Sequence, residues 1–162
     1  SDIYYTWCNI YNDPYPLQTK GILPALAAKL EGERNAFYSC SFTSLQDTLW
    51  DNRGRHYFKY CYIQGAADFI FGDGQSIYEK SVINFTFGAN GPRLDGTITA
   101  QKRMTNESPT RFVFKECVIT SVSGKAELGR AYGPFAKVII ANFSLLDVVR
   151  PEGWNAWNYV GN

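Results

Sequence analysis

The chain has 162 residues, with 16 basic and 15 acidic side chains and a formal net charge of +1. That length suits one domain burying roughly 70% of the unfolded chain's surface, and a hydrophobic share of 45% excludes a disordered chain. The near-zero charge excludes the long-range field of a general nucleic-acid or anionic-membrane binder, and no apolar run is long enough for a membrane-spanning helix.

Strand formers dominate from the start, at Ile3-Tyr4-Tyr5-Thr6-Trp7, and Gly, Asn, Asp and Pro recur between short apolar runs. The composition predicts mostly β structure with many turns. A frame of aromatic-x-x-(Cys/Ser/Asn)-x-apolar then repeats along the chain. It reads Tyr5-Thr6-Trp7-Cys8-Asn9-Ile10, then Phe37 to Phe42 around Cys40, then Phe58 to Ile63 around Cys61. It continues through Tyr78 to Ile83 around Ser81 and Phe114 to Ile119 around Cys117. More loosely it includes Ile139 to Ser144, which puts Asn142 in the ladder.

Cys40 and Cys61 lie 21 residues apart, and Cys61 and Ser81 lie 20 apart. That period is too short for a four-stranded propeller blade and fits one coil of a solenoid of short strands. The expected fold is all-β, a parallel β-helix with an internal ladder at the Cys/Ser phase, and longer intervals carry loops. The segment Leu23 to Leu30, with Ala25, Ala27 and Ala28, fits either a helix or an extended strand.

All four cysteines share one phase of the repeat. No Cys-x-x-Cys pair exists and His56 has no ligand-spaced partner, so no structural metal is expected. Two readings stay open for the cysteines, buried ladder thiols or a disulfide between neighbouring coils. Stacked strands lie about 4.8 Å apart, within disulfide range.

The repeat also pairs two carboxylates. Asp47 follows Cys40 by seven residues and Asp68 follows Cys61 by seven. Stacked in register, their Cβ atoms would lie about 5 Å apart. Repulsion between them should raise one pKa and leave the other low, so that one serves as acid while the other attacks. Turn-capping is the alternative for each Asp taken singly. Arg130, in Leu128-Gly129-Arg130, is the candidate partner of Asp68, although an isolated Arg is commonly a surface residue. There is no Gly-x-Ser-x-Gly elbow, His56 sits among strand residues, and Gly72-Asp73-Gly74 reads as a turn.

Five ordered stretches resemble the plant pectin methylesterases (pectinesterases): Gln46-Asp47-Thr48-Leu49, Asp68-Phe69-Ile70-Phe71-Gly72, Gly96 to Gln101, Leu128-Gly129-Arg130 and Gly153-Trp154-Asn155-Ala156-Trp157. The resemblance covers nearly the whole chain. It implies a right-handed parallel β-helix over residues 1–162, as one incomplete domain without its terminal coils. It also implies a secreted, cell-wall monomer that removes methyl esters from homogalacturonan without a metal or other cofactor. A proteinaceous pectinesterase inhibitor is an implied partner.

By the same resemblance, Asp68 matches the nucleophile, Asp47 the general acid and then base, and Gln46 an oxyanion donor. Arg130 matches the residue holding the nucleophile, and Tyr132 and Trp154 match aromatics lining the sugar groove. Two departures stand out. Pro24-Ala25-Leu26-Ala27-Ala28 replaces a Gln-Ala-Val-Ala-Leu segment, removing an oxyanion-hole Gln, and Arg130-Ala131-Tyr132 replaces Arg-Pro-Trp. Three sequons occur, at Asn84, Asn106 and Asn142. Asn142, placed in the ladder, is expected to be the poorest glycan site.

Overall fold

Short apolar alternation winds the chain into coils of three strands each. The structure is a computed structural model and describes residues 2–12, 23–87, 96–122 and 124–161. The first coil holds β1 (Ile3–Thr6), β2 (Asn9–Tyr11) and β3 (Ala28–Glu31). The second holds β4 (Asn35–Tyr38), β5 (Ser41–Thr43) and β6 (Leu49–Arg53), and the third β7 (Arg55–Lys59), β8 (Tyr62–Gly65) and β9 (Ala67–Gly72). The fourth holds β10 (Gln75–Glu79), β11 (Val82–Phe85) and β12 (Gly96–Gln101), and the fifth β13 (Arg111–Lys115), β14 (Val118–Ser121) and β15 (Ala126–Arg130). The last holds β16 (Val138–Ala141), β17 (Ser144–Leu145) and β18 (Trp154–Asn155).

Equivalent strands of successive coils pair in parallel, giving three six-stranded sheets. This is the expected all-β parallel β-helix. The segment from Leu23 ends in strand β3. The extra residues of the longer coils lie between β2 and β3, β11 and β12, β12 and β13, β15 and β16, and β17 and β18.

The repeat frame is visible in the packing. Tyr5, Phe37, Phe58, Tyr78 and Phe114 form one column, with successive ring centroids 4.5–5.0 Å apart and nearly parallel planes. Each stacked pair adds about 0.5–1.5 kcal/mol beyond burial. Beside it runs the apolar row Ile10, Phe42, Ile63, Ile83 and Ile119. The residue before each ladder position turns the corner with a left-handed backbone: Trp7, Ser39, Tyr60, Lys80 and Glu116 have φ of 49–56°.

The sixth frame is one residue off. Phe114 pairs with Ile140, not Ile139, so Phe143 takes the ladder phase and Asn142 is the left-handed corner at φ 49°. Asn142 is exposed, contrary to expectation. Without an aromatic anchor, the frame there had slipped. Asn84 is instead the buried sequon, its amide donating to Tyr62 Oη and Gln64 Oε1 at 2.9 Å each.

The cysteines divide between the two readings. Cys8 and Cys40, on adjacent coils, form a disulfide, while Cys61 and Cys117 are buried free thiols. Inside the coils lies a polar network that the sequence reading did not anticipate. Asp51 Oδ1 is 2.6 Å from His56 Nδ1, Asp51 Oδ2 accepts from Tyr78 Oη at 2.6 Å, and His56 Nε2 is 3.1 Å from Gly32 O.

Candidate active site

The outward face of the sheet β3-β6-β9-β12-β15-β18 carries the paired aspartates. Gln46 bridges Ala67 in parallel, and Asp47 N–H donates to Ala67 O at 3.0 Å. Leu49 pairs with Ile70 and Trp50 with Phe71 at the same 21-residue offset. Asp47 therefore stacks on Asp68 in register, as their common spacing from Cys40 and Cys61 predicted. Both hold left-handed backbone, with φ of 58° and 46°. Asp tolerates that region better than most residues, and such strain concentrates at functional sites.

Asp47 and Asp68 open into one cavity of about 210 Å³, with Gln46, Phe71, Ala100, Arg130, Tyr132 and Trp157. Arg130 Nη2 donates to Asp68 Oδ2, and Asp68 Oδ1 is left without a hydrogen bond. The guanidinium lies under the Trp157 ring, 4.3 Å from its centroid. Trp157 is itself left-handed (φ 48°), and its N–H donates to Asn155 Oδ1 at 2.7 Å. Asn155 Nδ2 contacts Glu127 at 3.1 Å, which ties this last turn to β15.

Burial, reinforced by the Asp68 charge and opposed by Arg130, pushes Asp47 up to about 6. Asp68 also lies above the usual carboxylate range. Burial raises it by more than Arg130 and the Thr97 hydroxyl lower it. The expectation that one pKa would stay low therefore needs correction, because both carboxyls leave water. The asymmetry lies in the partners: Asp68 has the cation and Asp47 does not. Among the described residues no cluster of three His, Cys, Asp or Glu could hold a metal.

Five of the six residues picked from the sequence meet in this cavity: Asp47, Asp68, Gln46, Arg130 and Tyr132. Trp154 does not. It pairs with Gly129, which pairs with Thr99, which pairs with Ile70, so it sits in register with an inward row but is itself 47% exposed. Its ring edge lies against Gly129, in a separate cavity of about 400 Å³ with Thr99, Ala136 and Val138. Trp157, three residues on, lines the aspartate cavity. The Gly153–Trp157 stretch held both tryptophans, both exposed, but only the structure shows which one lines the aspartate cavity. Phe71 was also missed, although its outward phase follows from Ile70 being inward. Its ring stacks on Trp50 at 5.6 Å, and Lys29 Nζ lies 4.4 Å over Trp50. Pro24 is exposed and bridges Gln46 from the preceding coil, but it does not itself line the cavity.

The pectinesterase family profile matches residues 20–161. The chain is 49% identical to probable pectinesterase 55 of Arabidopsis thaliana over 96% of its own length, and 48% identical to probable pectinesterase 29 of the same plant over 97%. It spans 48% and 47% of those proteins, about half of each. Among solved structures, it superposes on the pectin methylesterase of Aspergillus niger with a TM-score of 0.77 and 30% identity, covering 91% of this chain and 47% of that one. On the carrot pectin methylesterase the TM-score is 0.80 at 23% identity, over 93% and 48% of the two chains.

Proposed function

The chain belongs to the pectinesterase family, and from that premise we propose that its outward cavity removes methyl esters from homogalacturonan by an aspartate-nucleophile mechanism. The observation that carries this reading is the stacked Asp47–Asp68 pair with Arg130 bound to Asp68 alone.

In this reading the Asp68 carboxylate attacks the ester carbonyl carbon. Arg130 binds Asp68 Oδ2 and favours the ionised form against the burial that disfavours it. Charge moves to the carbonyl oxygen, where the Gln46 amide donates. The carbon–methoxy bond breaks as Asp47, protonated near pH 6, gives its proton to departing methanol. The acyl group is then an anhydride with Asp68. Asp47, now ionised, takes a proton from water, and that water attacks the anhydride. The free galacturonate leaves and both aspartates return to their starting states. Phe71, Tyr132 and Trp157 supply aromatic faces for the sugar.

The same reading carries a secreted cell-wall monomer, with a proteinaceous pectinesterase inhibitor as a partner. The Cys8–Cys40 disulfide suits an oxidising compartment. A second reading, a pectin-binding relative with weak turnover, draws on Pro24, which offers no donor beside Gln46. Product analysis on methylated homogalacturonan separates the two. The esterase releases methanol without creating reducing ends, and a binding module releases none. New reducing ends would indicate a glycoside hydrolase and overturn both readings.

A further inference from the structure

The three sequons sit in different surroundings. Asn84-Phe85-Thr86 runs out of β11, with Asn84 in register between Gln64 on β8 and Thr120 on β14. Asn84 and Thr86 are each 4% exposed, and the Asn84 amide donates to Tyr62 Oη and Gln64 Oε1. A sugar on that nitrogen would displace these bonds and force the neighbouring strands apart. Asn106-Glu107-Ser108 lies between β12 and β13, where Asn106 is exposed. Its sequon hydroxyl is engaged, because Ser108 Oγ lies 2.9 Å from Thr110 Oγ1 and accepts from Thr110 N at 3.3 Å.

Asn142-Phe143-Ser144 differs from both. Asn142 is the exposed corner between β16 and β17, with φ of 49°. Asparagine is among the few residues besides glycine that visit this left-handed region readily. Phe143 packs against the core, while Asn142 and Ser144 on either side of it are exposed. Ser144 opens β17, a two-residue strand paired on one side only, with β14. Among the described residues, neither the Asn142 amide nor the Ser144 hydroxyl makes a hydrogen bond. The corner joins the two sheets that do not carry the aspartates, so a glycan there stands clear of the aspartate cavity.

We propose that Asn142 is an N-glycosylation site, accepting an oligosaccharide from a lipid-pyrophosphate carrier, and that Asn84 is not. This rests on the secreted reading. In the transfer, Asn142 Nδ2 attacks the anomeric carbon of the first sugar. The new carbon–nitrogen bond forms as the bond to the pyrophosphate oxygen breaks. The lipid pyrophosphate leaves, and one amide proton passes to a base of the transferase. The fold then decides which sites keep their sugar. At the Asn142 corner the glycan projects into water, whereas at Asn84 it would occupy the space of a buried hydrogen-bonded amide.

The test expresses the chain behind a secretion leader in a eukaryotic host. The secreted, folded protein is mapped by peptide mass after enzymatic removal of glycans in heavy-oxygen water. That treatment converts each former glycan site to a labelled aspartate, so the three sequons are read separately. Supplying the leader separates the acceptor question from the secretion reading, which fails on its own if the native protein is absent from cell-wall extracts. Label is expected at Asn142 and not at Asn84. Asn142→Gln and Ser144→Ala should each remove the same single glycan. Ser144→Ala leaves the corner residue in place, so it decides the matter if Asn142→Gln disturbs folding. An unlabelled Asn142 in the secreted wild type, a Ser144→Ala protein that keeps the label, or label at Asn84 overturns the proposal.

Discussion

Asp47 and Asp68 stand one coil apart in the same left-handed backbone conformation, and only Asp68 is held by Arg130. Their chemical difference therefore arises from what lies beside each, not from the strand that carries it. An inward row (Leu49, Ile70) and an outward row (Trp50, Phe71) flank the pair and fix its register.

The pH dependence follows from this asymmetry. The step from free enzyme to methanol loss needs Asp68 ionised and Asp47 protonated. Asp47 titrates near 6, and burial raises Asp68 above the ordinary range. The kcat/KM profile should be a bell, falling on the alkaline side as Asp47 loses its proton and on the acid side as Asp68 gains one. Asp47→Asn should nearly abolish turnover.

The same substitution should stabilise the fold. A carboxyl raised from 3.8 to about 6 prefers to be neutral when folded. Its contribution is intact below pH 4 and is lost as pH rises through 6. At pH 7, Asp47→Asn should gain on the order of 1 kcal/mol after solvent screening. Urea unfolding at pH 4 and pH 7 checks this, with the gain confined to pH 7.

The register of the aspartates was legible from the sequence because Cys40 and Cys61 share an aromatic anchor three residues upstream. Where that anchor is missing, at Ile139 or Ile140, the frame slips by one and misplaces Asn142. Trp154 and Trp157 could not be assigned from the motif, since both are exposed and the left-handed residue at Trp157 sets it apart from the strand that carries Trp154. The Asp51–His56–Tyr78 network joins residues up to 27 positions apart. Only alternation hinted at it, since Leu49 faces inward and Asp51 shares its phase.

The two tryptophans give separable phenotypes. Trp157→Ala should raise KM roughly threefold to tenfold by removing an aromatic face and uncovering Arg130. Trp154→Ala should leave KM unchanged and lower stability only modestly, because its half-exposed ring rests against Gly129. Steady-state kinetics beside thermal unfolding distinguishes them.

His56 is flanked by two acceptors, Asp51 Oδ1 and Gly32 O, an arrangement that favours the imidazolium, which donates from both ring nitrogens. Burial alone would lower its pKa, but the Asp51 bond and charge and the Gly32 carbonyl together raise it above 6.5. This stabilisation is complete below pH 6.5 and is lost as pH rises through the folded pKa. His56→Gln should destabilise by about 3–5 kcal/mol, because it leaves Asp51 as a buried charge. Unfolding measured at pH 6 should show the full loss, and at high pH a smaller one.

Pro24 gives a test of gain. A glutamine there would add a donor beside Gln46, one coil away. Pro24→Gln should raise kcat by about tenfold or more with KM nearly unchanged. A folded variant with no gain would show that the hole is already complete.

The most direct measurement is methanol release by Asp68→Asn beside the wild type, with matched circular dichroism. The amide keeps the shape of the carboxylate and removes the attacking oxyanion. The account predicts loss of activity by at least about a thousandfold with the fold intact. An Asp68→Asn protein that keeps a tenth or more of wild-type activity would contradict it.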